Sequence, residues 1–74
     1  MKQLSVIHRR FGQRIKELRK EKQLTQEDLA FEVGVDRSYM GFVERGEKNA
    51  TLDKIAKISK ALNVKLKVMF EFEN

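Results

Sequence analysis

Apolar positions keep a helical spacing for most of the chain and an alternating one at its end. Ile7, Phe11, Ile15 and Leu18 fall at i, i+4, i+8 and i+11, one face of a helix expected over about residues 6–21, with Ser5 placed to cap it. Lys22-Gln23-Leu24 breaks that pattern. Thr25 then offers a hydroxyl cap, and Glu27 and Asp28 supply the acidic first turn that a helix dipole favours. A short second helix turns Leu29, Ala30 and Val33 inward and stops at Gly34, a residue suited to the left-handed conformation that closes helices. Asp36 caps a third helix, expected from about Arg37 to Arg45, that buries Met40 and Val43 and ends at Gly46. Beyond the polar loop Glu47-Lys48-Asn49-Ala50, Thr51 caps a fourth helix with Leu52, Ile55, Ile58 and Leu62 at helical spacing.

The tail changes period. Leu66, Val68, Phe70 and Phe72 alternate with Lys65, Lys67, Met69, Glu71 and Glu73, the pattern of a strand with one apolar face. A helical reading through Leu66, Met69 and Phe70 competes with it; the strand is preferred because Lys65 is a poor N-cap. The expected fold is therefore mainly α, a four-helix unit over residues 1–64 followed by a C-terminal β-strand over residues 65–74. A lone strand needs a partner, and a second copy of the chain supplies one. With two tails antiparallel about Met69, Lys65 faces Glu73, Lys67 faces Glu71, Leu66 faces Phe72 and Val68 faces Phe70. Leu66, Val68, Met69, Phe70 and Phe72 are thus the expected dimer interface.

Composition narrows the classes. A chain of 74 residues holds one domain with a small core, whose stability is marginal unless a cross-link, a metal or another chain adds to it. There is no cysteine, and His8 is the only histidine, so neither a disulfide nor a metal site is expected and association remains. No catalytic constellation and no phosphate-cradling glycine loop is present, which argues against an enzyme, and no cofactor is implied. No apolar run is long enough to span a bilayer, and Met1 to Ser5 lacks the character of a signal peptide, so no membrane partner and a cytoplasmic location are expected. The net charge of +5 is uneven: eight basic residues oppose Glu17 and Glu21 within the first 22, giving +6 there and −1 in the remainder. Such a balance favours polyanions, although a basic run also occurs as an ordinary solvated helix face.

Two short helices joined by Gly34-Val35-Asp36 form a device that packs one helix across another and projects the second outward. The order of residues is more specific. Leu24-Thr25-Gln26-Glu27-Asp28-Leu29-Ala30, Val33-Gly34-Val35-Asp36-Arg37-Ser38-Tyr39-Met40 and Val43-Glu44-Arg45-Gly46 resemble the Xre and phage-repressor family of helix-turn-helix proteins, with the likeness covering about residues 11–64. Within it, Asp36-Arg37-Ser38-Tyr39 with Glu44-Arg45 is most similar to the controller proteins of restriction–modification systems.

The resemblance implies a sequence-specific transcriptional regulator, a repressor or controller, bound as a homodimer to a palindromic double-stranded operator. Arg37 and Ser38 match positions that reach base edges, where arginine bonds guanine O6 and N7 as a fork. The bland alternative for Arg37 is a solvated side chain bridging to Asp36 or to a phosphate. Gln26 matches a glutamine that holds a phosphate, or else is an ordinary first-turn residue. Tyr39 either bonds a phosphate or lies on the core rim. Arg45, Lys48 and Asn49 match loop positions that bind phosphates. Gly41 and Phe42 depart from the family pattern; Phe42 either meets a thymine methyl, as a base reader, or packs under the N-terminal helix. Arg19 and Glu44 match a structural ion pair. Two other readings stay open: an antitoxin that also binds a toxin, and an interaction adaptor that binds no DNA.

Overall fold

The computed structural model describes residues 5–72, which form five helices: α1 Val6–Glu21, α2 Gln26–Val33, α3 Arg37–Glu44, α4 Leu52–Leu62 and α5 Leu66–Met69. The first four begin where a short polar side chain accepts from a backbone N–H that lacks a partner within the helix. Ser5 Oγ accepts from the His8 amide at 3.4 Å, Asp36 Oδ1 from that of Tyr39 at 2.8 Å and Thr51 Oγ1 from that of Lys54 at 3.2 Å. At α2 the arrangement is reciprocal: Thr25 Oγ1 accepts from the Asp28 amide, and the Asp28 carboxylate accepts from the Thr25 amide. Those two bonds hold the Asp28 carboxyl below its ordinary pKa, the backbone bond contributing most.

Gly34 ends α2 at φ 87°, a left-handed conformation that carries no steric cost without a Cβ, and the chain re-enters a helix two residues after Val35 is seated. α2 packs on α3 and α4, and α1 crosses α3. That crossing depends on Gly12: a Cβ there would run into the carbonyls of Val43 and Glu44. Ile15, Leu29, Met40, Ile58 and Leu62 are enclosed at the centre, with Leu18, Ala30, Val33 and Val43 around them. Two residues of the helical stripes stay outside, since Ile7 and Leu52 are exposed. No helix among the described residues is long and apolar enough to cross a membrane.

The tail corrects the expected fold. Among the described residues there is no β-strand, and the C-terminal strand is replaced by the one-turn helix α5. Asn63 closes α4 in the left-handed region at φ 57°, and Ser59 Oγ donates to the Val64 carbonyl, which turns the chain back over its own protomer. α5 then lies against α1 and α4. The physical reason is Met69. A strand would place it on the same face as Lys65, Lys67 and Glu71, whereas a helical turn drives it into the core, where it is fully buried. Arg14 fastens the turn by donating from Nε to the Val68 carbonyl at 2.9 Å and from Nη2 to Glu71 at 3.5 Å. Phe70 stacks on Phe11 with ring centroids 5.0 Å apart. The tail-to-tail register therefore has no strand to carry it: Met69 lies inside its own protomer, Val68 and Phe72 pack against the core, and Glu73 lies outside the described residues.

Candidate nucleic-acid interface

α3 turns Met40 and Val43 inward, which fixes the opposite side outward, and its first turn exposes Arg37 and Ser38. Behind it lies the buried Arg19–Glu44 pair, with Arg19 Nε donating to Glu44 Oε2 at 2.6 Å and Nη2 to Oε1 at 3.1 Å. Arg19 Nη1 also donates to the Leu24 carbonyl at 2.8 Å, tying α1 to the start of the α2 segment. This is a bidentate pair with further bonds on the arginine, a condition under which two charges persist in a protein interior.

Glu44 has one more partner. Gln26 Nε2 donates to Glu44 Oε1 at 2.9 Å, which leaves Gln26 Oε1 facing the start of α3, and that oxygen accepts from Arg37 Nη1 at 3.4 Å. One amide hydrogen of Gln26 is thus committed inward, and its outward oxygen is an acceptor that attracts arginine and repels phosphate. The buried pair reaches the outward side of α3 through this single amide.

The other sequence-predicted residues divide into groups. Arg45, which closes α3, lies with its guanidinium carbon 5.1 Å from the Phe42 ring centroid, while its Nε donates to Glu47 at 3.2 Å. Lys48 Nζ sits 5.7 Å from the Tyr39 ring centroid, and Tyr39 is half-buried against the core, with burial pushing its hydroxyl pKa up. Asn49 is turned to α1: its Oδ1 is 3.2 Å from His8 Nε2, and His8 Nδ1 is 2.6 Å from Ser5 Oγ. Arg37, Gln26 and Arg45 therefore converge, Lys48 joins Tyr39, and Asn49 stands apart with His8. Two residues outside the sequence-predicted DNA-contacting set touch this cluster, Glu44 through Gln26 and Gly41 beneath Arg45. Glu44 was read as purely structural, and Gly41 was read only as a departure from a pattern. That departure was the one available signal.

Comparison with known proteins bears on this geometry. The family model described as Helix-turn-helix matches residues 15–68. Control protein C.BamHI of Bacillus amyloliquefaciens is 46% identical over 63 residues, covering 84% of this chain and 78% of that protein. Control protein C.MunI of a Mycoplasma species is 42% identical over 62 residues, covering 82% and 84%. Among solved structures, the restriction-modification controller protein C.AhdI from Aeromonas hydrophila superposes with a TM-score of 0.79 at 52% identity, over 81% of this chain and 91% of that one.

Proposed function

The chain belongs to the helix-turn-helix family of DNA-binding transcriptional regulators, and on that premise we propose that it lays α3 in the major groove of an operator and acts there as a homodimer. The observation that carries this reading is the outward side of α3, where Arg37 and Ser38 are exposed on a helix whose inward side is fixed by Met40 and Val43. Arg37 reads a base edge, with Ser38 beside it. Lys48 and Tyr39 contact the phosphate backbone next to the groove. Gln26 steers Arg37 through its oxygen and meets a phosphate through its second amide hydrogen.

A dimer supplies the second recognition helix that a palindrome requires, about 34 Å from the first. Its surface is the groove lined by Ile7, Phe11, Ala50, Ile55 and Phe70, with His8, Lys48 and Asn49 on its polar rim; Leu52 and Leu66 are exposed as well. An exposed apolar patch of this kind on a small domain marks a contact surface. Leu66 and Phe70 thus keep the dimer role expected for them, without the strand.

The test is a fluorescence-anisotropy titration against duplexes selected from a random library, across a range of salt. Wild type is expected to select one sequence and to lose affinity steeply with salt, as phosphate neutralisation demands. Arg37→Ala is expected to cut the preference for the selected sequence about 5- to 150-fold. Equal affinity of wild type for all duplexes would overturn the reading.

A further inference from the structure

Gly41 and Phe42, the two departures from the family pattern, sit under one side chain. Gly41 is buried, and an idealised Cβ on it would stand 3.2 Å from Arg45 Nη1, 3.9 Å from Arg45 Cζ and 3.6 Å from Gln26 Oε1. The Phe42 ring carries the same guanidinium at 5.1 Å. Arg45 is therefore folded back over α3 toward its middle, and Glu47 holds it there by the Nε. From the other end of the helix, Arg37 reaches the same Gln26 oxygen at 3.4 Å. The Arg45 guanidinium thus lies above a position that has no side chain of its own, beside the Gln26 oxygen that Arg37 also reaches.

From this juxtaposition we infer that Arg45, seated on Gly41 and Phe42, reads a base in the middle of each half-site and is a specificity-determining residue, not a phosphate clamp. The inference rests on the reading of α3 as the groove-facing helix. Gly41 presents nothing but backbone to the bases opposite it, so without Arg45 that part of the helix would be silent. With Arg45 across it, the same stretch offers a planar fork, and the base that answers a fork with two acceptors is guanine, through O6 and N7. The contact with the Phe42 ring and the bond to Glu47 restrict the guanidinium before DNA arrives, which lowers the ordering cost of the contact. A lysine keeps the charge but has no fork, so Arg45→Lys separates base reading from phosphate attraction.

The experiment selects binding sites from a random duplex library with wild type, Arg45→Lys and Gly41→Ala, and measures affinities for the wild-type site and its single-base variants. Wild type is expected to prefer a second guanine in each half-site, beyond the one assigned to Arg37, by about 5- to 150-fold. Arg45→Lys is expected to bring that preference below about threefold while the guanine read by Arg37 keeps its own, because only a lost fork relaxes a single position. Gly41→Ala is expected to do the same by pushing the guanidinium off its seat. A thermal melt of the same variant checks that it is folded at the assay temperature, so a loss of specificity cannot be laid to unfolding. If both variants keep every base preference and lose affinity uniformly, Arg45 is a phosphate contact and the inference is wrong. If wild type shows no sequence preference, the groove-facing reading of α3 falls, and this one with it.

Discussion

At the scale of single residues, Glu44 does the most. It accepts twice from Arg19 and once from Gln26, and it is almost fully enclosed. Glu44→Ala would leave the Arg19 charge buried and half-partnered, which costs about 3–5 kcal/mol, most of the stability a domain of this size is expected to have. Urea unfolding of the variant should show the transition shifted to low denaturant or already begun in water. The Arg19–Glu44 pair was legible from the family resemblance, but its link to Gln26 was not. Sequence names an amide without saying which end of it points outward, and that orientation is decided by an acceptor 18 positions away in the chain. Phe42 illustrates the same limit: its ring could be assigned to a thymine or to a helix, and nothing local in the sequence shows that the Arg45 guanidinium lies 5.1 Å from its centroid.

At the scale of elements, the starts of four helices were legible because capping is local: Ser5, Thr25, Asp36 and Thr51 each act within three residues of themselves. The α2 cap carries a pH signature. The Asp28 carboxyl is held below its ordinary pKa, so its contribution is complete above the unfolded value near 4 and is lost as pH falls through the lower folded value. Thermal melts of wild type should therefore weaken below about pH 4, and those of Asp28→Asn should lack that part of the acid dependence. The tail was illegible for the opposite reason. Its alternation is genuine, yet the fate of Met69 is set by burial where α5 meets α1 and α4, a site that only the folded chain creates. Met69→Ala should consequently destabilise the protomer by about 2–5 kcal/mol in denaturant titrations, the cost of emptying a core position. A tail that served only to pair subunits would leave protomer stability unchanged by that substitution.

At the scale of the whole molecule, an apolar interior carries two surface features, the outward side of α3 with Arg37 and Ser38 exposed and the groove around Ile55 and Phe70. The proposed dimer makes a claim about the last. Ile55→Glu places a charge in the groove and should shift sedimentation toward the monomer at concentrations where wild type is dimeric, with weaker binding to palindromic DNA and little change in binding to a half-site. The division of the chain into helical unit and tail, natural in sequence, has less meaning in the fold, because α5 completes the core that α1 and α4 leave open.

The most direct test of α3 as the groove-filling helix is a titration of isotope-labelled protein with a selected duplex, followed amide by amide in NMR spectra. The largest shifts are predicted at residues 36–39, at Gln26 and at Gly41, with the interior side of α4 near Ile58 little moved. Shifts gathered instead around Leu52 and Leu66, with α3 unaffected, would contradict the account.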